Sequence, residues 1–125
     1  MKIDFDRSNH IVTVTKSGVA SVSDIIEFIN KGVAMGLKHD CYDLIFDVQK
    51  TKETGSFVEL YEFHKNLIQI TDLTHNHRFA VIFSPTENKS EKLFYETVAA
   101  NWGQGIFKMF FQLEDGLSWL KLSKK

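Results

Sequence analysis

Two short apolar segments, separated by about thirty residues, most constrain what this chain can fold into. Residues 42–48 and 78–83 are nearly continuous runs of large apolar side chains. Runs of this length, without alternation, are typical of strands covered on both faces, as in a parallel sheet between helices. We therefore expect these two segments to form the centre of a sheet.

Helix signals surround the two central segments. Three pairs have the spacing of a capping box: Ser21 and Asp24, Ser56 and Glu59, and Asn88 and Glu91. The first predicted helix spans residues 21–36 and ends at Gly36. The second is predicted to bury one apolar stripe, formed by Phe57, Leu60, Tyr61, His64, Leu67, Ile68 and Leu73. The third is predicted to bury Leu93, Phe94, Val98, Ala99 and Trp102.

The remaining segments complete an alternating order. Residues 3–6 and 11–15 flank a polar turn and predict an antiparallel hairpin, with Gly18 ending the second strand. Residues 49–55 are predicted to be a polar loop, and residues 106–111 a last strand before a short closing helix. The order is β-β-α-β-α-β-α-β-α, which predicts an α/β fold in one domain spanning residues 1–125. We expect a mainly parallel mixed sheet covered by helices.

Composition argues against several classes of protein. The chain has 15 basic and 16 acidic residues and a net charge of -1, whereas a nucleic-acid binder usually carries a basic excess. It has a single cysteine, Cys41, and no stretch of the ~20 apolar residues needed to span a bilayer. Its amino terminus alternates polar and apolar residues, unlike a signal peptide. We expect a cytoplasmic protein without a nucleic-acid partner or a membrane span.

The central strands and the tail also carry a family resemblance. Residues 43–48 read DLIFDV, residues 78–83 read RFAVIF, and residues 110–120 read FFQLEDGLSWL, with Gly116 where the family usually has Ala. Together with the element order, these segments resemble the STAS-like domains of the SpoIIAA-like, anti-sigma-factor-antagonist type, over nearly the whole chain. The resemblance implies that fold and a bacterial signalling role through protein–protein interaction.

The family's phosphoswitch is only partly matched. It is a phosphorylated Ser or Thr in an Asp-Ser-Ser/Thr-Gly loop before the second helix. Aligning the glycines places Lys52 on the Asp position, Glu53 on the usual phosphoacceptor, Thr54 on the second hydroxyl residue and Gly55 on the glycine. The resemblance is therefore to a divergent branch that lacks this switch, and phosphorylation of Thr54 or Ser56 stays open.

Polar residues at the predicted carboxyl edge of the sheet form the candidate binding surface. Ligands of open α/β sheets gather at this edge, where helix N-termini favour anions. The candidate partner-binding or ligand-binding residues are Asp47, Thr51, Glu53, Thr54, Gly55, Ser56, Ser84 and Thr86. The alternative is that Ser56 only caps a helix and that the other residues only end strands, because capping is the commoner role of such residues.

No residue pattern indicates catalysis or a metal site. His64, His75 and His77 lack the spacing and partners of a zinc site, and we expect solvated loop histidines, with His64 on a helix flank. Cys41 has His39 and Asp40 as neighbours, but triads assemble through folding, and a structural thiol is expected. We therefore predict no catalytic residue, no metal and no cofactor.

Aromatic residues concentrate in the last third of the chain: Phe94, Tyr95, Trp102, Phe107, Phe110, Phe111 and Trp119. We expect them to pack in the core beneath the closing helix; the alternative is an exposed apolar patch that binds a partner.

These observations lead to one main functional hypothesis and two alternatives. The main hypothesis is a non-catalytic, cytosolic STAS-like interaction or regulatory module. Its partner would be a protein, a second copy in a homodimer, or a small apolar or anionic ligand. The first alternative is a small-molecule or lipid carrier of STAS/Sec14-like type, which requires an apolar pocket under Phe57, Tyr61 and Phe94. The second, an enzyme, requires two titratable groups within hydrogen-bond reach in a pocket.

Overall fold

The computed structural model describes residues 1–84, 87–103 and 105–122. The strands are β1 (Lys2–Asp6), β2 (Ile11–Ala20), β3 (Asp43–Glu53), β4 (Arg78–Ile82) and β5 (Phe107–Phe110). The helices are α1 (Val22–Lys38), α2 (Phe57–Lys65), α3 (Leu67–Ile70), α4 (Lys89–Asn101) and α5 (Leu113–Leu122). The predicted α/β class is confirmed, with the short α3 as an additional element.

The five strands form one mixed sheet in the order β1-β2-β3-β4-β5. The strands β1 and β2 are antiparallel, whereas every other neighbouring pair is parallel. A sequential order of parallel strands joined by right-handed crossovers places the connecting helices on one face of the sheet.

Two apolar clusters show how each face of the sheet is covered. Alternate strand residues, including Leu44, Phe46 and Val81, pack with residues of α1, α2 and α4. The intervening residues, including Ile45 and Ile82, pack with α5. The central strands are therefore apolar on both faces, as the short apolar runs predict.

The hairpin strand β2 and its neighbour β3 are longer than predicted. Gly18 does not end β2, and the predicted polar loop at 49–55 is wrong, because residues 49–53 continue β3. The extension pairs Ser17–Ala20 with Lys50–Glu53, after a shift in register between Thr15 and Ser17. Backbone pairing with β2 gives this polar segment its strand structure, although its side chains lack an apolar pattern.

All three predicted caps are correct, with the Asn88 side chain accepting from the Glu91 amide at 3.1 Å at the start of α4, whereas the predicted end of α1 is wrong. Ser21 and Ser56 each form a full capping box with the residue three positions later. Helix α1 continues past Gly36 to Lys38, and Gly36 is buried where the Cys41 amide donates to its carbonyl oxygen at 2.8 Å. A side chain at position 36 would collide with the Cys41 carbonyl oxygen, so glycine serves a close contact here.

The buried faces of α2 and α4 differ from the predicted stripes. The predicted second helix is interrupted at Asn66, which separates α2 from α3. Phe57, Leu93, Phe94 and Trp102 are exposed, although they were predicted to be buried. Helix α4 buries Val98 and Ala99, as predicted, together with Lys92 and Tyr95.

Helix α5 covers Phe110, as predicted, whereas Phe94 and Trp102, which were expected in the core, are exposed. Phe107 and Met109 are buried on the face shared with α4, and the ring centroids of Phe110 and Trp119 lie 5.8 Å apart beneath α5. The Arg78 guanidinium lies 4.2 Å from the Trp119 ring centroid. Among the described residues, no helix combines the length and apolar character needed to cross a membrane.

Two helical glycines provide a matched test of this packing. A Cβ at Gly36 would overlap the Cys41 backbone, whereas a Cβ at Gly116 would lie 2.7 Å from the terminal methyl carbon of Ile82, which can rotate. We expect Gly36→Ala to lower the free energy of unfolding by about 2 kcal/mol or more, and Gly116→Ala to change it by less than about 1 kcal/mol. Urea titration of both variants measures this difference; equal effects would contradict the described contacts.

Candidate ligand pocket

An apolar slot lies between helices α1 to α3 and the sheet face that they cover. Its helical wall is formed by Ile25, Phe28, Ile29, Leu60, Phe63 and Leu67. Its sheet wall is formed by Phe46, Val48, Phe79, Val81, Phe107 and Met109, with Phe83 just after β4. The polar members are Thr51, Glu53 and His64. We call this space the slot.

The slot is narrow. Its cavity volume is about 40 Å³, well below the roughly 150 Å³ of a cavity that binds benzene. It exceeds the roughly 10–15 Å³ that one water needs, but apolar walls offer water few partners. The slot therefore suits a small apolar group better than it suits solvent.

Exposure indicates where the slot opens. Ile25, Val48, Thr51 and Glu53 are the lining residues with partial exposure, whereas the others are buried. Ile25 belongs to the start of α1, and the other three belong to the carboxyl half of β3. The opening therefore lies at the edge of the sheet where ligands of parallel α/β folds bind.

A buried ion pair lies at this opening. The Lys92 ammonium is 3.7 Å from a carboxylate oxygen of Glu53, and the two side chains are 7% and 19% exposed. The ammonium also lies 4.5 Å from the ring centroid of Phe83. Glu53 lies on the extension of β3, and Lys92 lies on the buried stripe of α4. The positions of both charges therefore depend on tertiary packing.

Burial raises the pKa of Glu53. Desolvation is the largest cause, and the attraction of Lys92 opposes it without reversing it. Glu87 and Glu91 raise the pKa further because their charges repel the carboxylate. Both also line a more polar cleft outside the slot, together with Lys52, Gly55, Leu60, Glu53 and Lys92. Glu53 thus lies between the apolar slot and the polar cleft.

His64 is buried against the slot. Its ring stacks on Tyr95 at a centroid distance of 4.6 Å, and its Nδ1 lies 2.7 Å from the Leu60 carbonyl oxygen. Desolvation lowers the pKa of His64 to about 4, and the charge of Lys92 contributes in the same direction. The imidazole is therefore neutral near pH 7.

The prediction of solvated loop histidines is wrong for His77, whereas the burial of His64 agrees with its place in the predicted apolar stripe. His64 is 8% exposed, and His77 is buried with Nδ1 accepting from the Thr74 amide at 2.9 Å. His75 is exposed, as predicted. Cys41 is a buried thiol that donates to the His10 carbonyl oxygen at 3.1 Å, which confirms the structural prediction for it. Over the described ranges, no group of three or more potential ligand side chains could hold a metal ion.

The structure brings two of the predicted site residues into the slot. Thr51 and Glu53 both line it, although the Thr51 hydroxyl donates to the Lys16 carbonyl oxygen at 2.8 Å. Asp47 lies within β3, where its carboxylate accepts from the Gln49 backbone amide at 3.2 Å and from the Gln49 side chain at 3.1 Å.

The other predicted site residues have local structural roles. The Thr54 hydroxyl donates to the Ala20 carbonyl oxygen at 3.3 Å, and Ser56 caps α2. A Cβ at Gly55 would lie 3.0 Å from a methyl carbon of Val22, so the glycine permits close packing. The Ser84 carbonyl oxygen accepts from the Glu87 amide at 3.0 Å. Thr86 lies outside the described residues.

Sequence reasoning missed Lys92 and placed His64 in a buried stripe without naming it as a site residue, although both carried a signal. His64 lies four residues after Leu60 and three before Leu67, so it belongs to the buried stripe of its helix. Lys92 lies three residues before Tyr95 and seven before Ala99, which places it on the buried stripe of α4. A polar residue at a buried helical position is the signal that could have identified them.

No family model matches this chain, and no curated protein or solved structure matches it significantly.

The lowered pKa of His64 predicts acid sensitivity. Between pH 6.5, the usual value, and about pH 4, the unfolded chain binds more protons than the folded chain, so stability falls as the pH falls through this window. We expect His64→Phe to reduce the loss of unfolding free energy between pH 7 and pH 4.5, by up to about 3 kcal/mol.

Urea titrations at both pH values measure this effect. His77, whose pKa burial also lowers, contributes in the same direction, whereas Glu53 contributes in the opposite one because its pKa is raised. Both remain in the variant, so only part of the pH dependence disappears. The exposed His75→Phe serves as a control, and a pH dependence in His64→Phe identical to that of the parent would argue against a neutral, buried His64.

Proposed function

We propose that the protein is a non-catalytic binding module of STAS-like type, and that it holds a small apolar molecule in the slot. The observation that supports this proposal most directly is that a partly open apolar space lies within the main core cluster. Protein interiors are normally close-packed. At the usual cost per unit of cavity volume, an empty slot of about 40 Å³ lowers the free energy of unfolding by about 1 kcal/mol. A ligand that fills the slot would recover these contacts.

The arrangement of polar groups supports the slot over the polar edge as the binding site. The hydroxyls of Thr51 and Thr54 donate to backbone carbonyl oxygens of β2 residues, and Ser56 caps α2. These groups are already engaged in holding the edge together. In the alignment implied by the STAS resemblance, the phosphoacceptor position is Glu53, which here faces Lys92 beside the slot. This supports a divergent module in which that position belongs to a ligand site.

The chemistry around the slot supports binding in preference to catalysis. Glu53 and Lys92 are the titratable pair nearest to the requirement for an enzyme, but their 3.7 Å separation exceeds an ordinary hydrogen bond. The opposite charges of Glu53 and Lys92 compensate each other. The Thr51 hydroxyl is bonded to the backbone and has no general base among its described hydrogen-bond partners.

Filling the slot tests this proposal. Val81 lines the slot, whereas Val14 packs in the same cluster outside it, close to Gly32. We expect Val81→Ile to weaken the binding of xenon, the probe ligand, at least fivefold while leaving the free energy of unfolding unchanged or slightly higher, because the added methyl group occupies free space.

Val14→Ile is the matched control. It should lower the free energy of unfolding by about 1–3 kcal/mol through overpacking and leave the affinity for xenon within twofold. The ¹²⁹Xe NMR shift measures the binding. If xenon fails to bind the unmodified chain, or binds Val81→Ile equally well, the slot is not a ligand site.

A second candidate function is self-association through an exposed aromatic strip, which we define as Phe57, Tyr61, Phe94 and Trp102. Phe57, Phe94 and Trp102 are 61%, 43% and 52% exposed, and the Phe57 and Phe94 rings stack at 5.9 Å. The Lys65 ammonium lies 4.3 Å from the Trp102 ring centroid at the other end of α2. Clustered exposed aromatics are typical of protein interfaces.

Sedimentation velocity tests self-association. We expect the unmodified chain to show a monomer–dimer equilibrium, and the double substitution Phe57→Ser with Phe94→Ser to shift it at least tenfold toward monomer. Leu37→Ser is the control, since Leu37 is an exposed apolar residue of α1, outside the strip. A chain that stays monomeric at all accessible concentrations would rule this candidate out.

A further inference from the structure

The two neighbours of β3 pair with it over different lengths. Its pairing with β4 stops at Asp47 and Ile82, whereas its pairing with β2 continues to Glu53 and Ala20. Among the described residues, the end of β3 therefore has a strand neighbour on the β2 side alone. The opposite side of residues 51–53 is an internal edge of the sheet, which we call the notch.

The hydrogen-bond pattern indicates which backbone groups face the notch. The Thr54 amide donates to the Ala20 carbonyl oxygen at 3.0 Å, and parallel pairing directs the backbone groups of alternate residues to the same neighbour. Thr54 and Lys52 therefore face β2, and the amides and carbonyls of Thr51 and Glu53 face the notch. Within the described ranges, these four groups have no backbone hydrogen-bond partner.

The outer edge of the sheet at β5 differs from the notch. The Met109 amide there donates to the Glu96 carboxylate at 2.9 Å, which hinders pairing with another chain. The hydrogen bonds of the described residues give the Thr51 and Glu53 amides no side-chain acceptor of this kind. Unpaired strand edges bind extended peptides, which add a further strand to the sheet.

The polar cleft lies beside the notch and provides space for a ligand. Lys52 and Glu53 belong to its lining, and its volume is about 380 Å³. This volume lies within the range of about 300–1,000 Å³ that is typical of ligand pockets, in contrast to the volume of the slot. The cleft therefore has room for a short stretch of extended chain.

The charges of the cleft indicate which peptide fits. Glu53 and Lys92 compensate each other, whereas Glu87 and Glu91 have no ion-pair partner among the described residues. Lys52 provides one opposing positive charge, so the lining has an acidic excess. A second copy of this chain would bring the same carboxylates to the same edge, and like charges on adjacent strands disfavour that pairing.

We propose that the notch binds an extended, basic segment of a partner protein as an added strand of the sheet. The backbone of this segment pairs with the amides and carbonyls of Thr51 and Glu53, and its Lys or Arg side chains pair with Glu87 and Glu91. The inference goes beyond the proposed ligand of the slot, because it concerns a separate surface and a different class of partner.

The pentapeptide acetyl-VKVKV-amide is the probe. In an NMR titration, we expect it to shift the amide proton resonances of Thr51 and Glu53 to lower field and to bind about fivefold or more tightly than acetyl-VEVEV-amide. Substituting both Glu87→Gln and Glu91→Gln should weaken its binding about fivefold. The control Glu114→Gln, at an exposed position of α5, should leave the affinity unchanged.

Two backbone-methylated peptides separate strand addition from simple attraction of charge. A strand directs alternate amides to opposite sides, so N-methylation of the Lys residues and N-methylation of the Val residues remove different donors. We expect one of these peptides to lose binding and the other to retain it.

Three outcomes would overturn the inference: no binding of the parent peptide, equal behaviour of the two methylated peptides, or an effect of Glu114→Gln as large as that of the double substitution. Xenon binding to the slot is measured independently, so a failure here is distinguishable from a failure of the proposed function.

Discussion

The burial of residues 44–46 of β3 and 79–82 of β4 is the constraint on which the rest of the structure depends. Helices α1, α2 and α4 cover one face of these strands, and α5 covers the other. Because both faces are apolar, neither strand can lie at an edge of the sheet without exposing large side chains to water. The strands β1 and β5 therefore occupy the two edges of the sheet. The Glu96 carboxylate accepts a hydrogen bond from the Met109 amide of β5 at 2.9 Å.

The candidate site follows from a mismatch in strand length. β2 and β3 continue for several residues beyond Ile82, the last residue of β4 to pair with β3. The extension carries Glu53 past the main sheet to the first turns of α4, where Lys92 meets it. Beneath this ion pair, the helices and the sheet leave the slot unfilled. This apolar space has one charged pair at its opening and one buried imidazole in its wall.

The sequence predicted the local features of the fold correctly and the long-range ones only in part. The capping boxes at Ser21 and Ser56 were recognisable because their hydrogen bonds join residues three positions apart. The extension of β3 was not recognisable in the sequence, because residues 49–53 have no strand pattern of their own and are strands only through pairing with β2. Of the candidate site, Thr51 and Glu53 were named from the sequence, whereas Lys92 was missed and His64 was placed in an apolar helical stripe without a role in the site.

What the sequence by itself determined is the class of fold and the position of its core strands, because hydrophobic periodicity and capping depend on neighbouring residues. Only the tertiary structure decided which polar residues are buried and which apolar residues are exposed. Lys92 lies inside while Phe57 and Phe94 lie outside, because helices α2 and α4 pack at a rotation that their own sequences leave ambiguous. The slot has the same origin: a void arises between elements, from the fit of side chains distant in the chain.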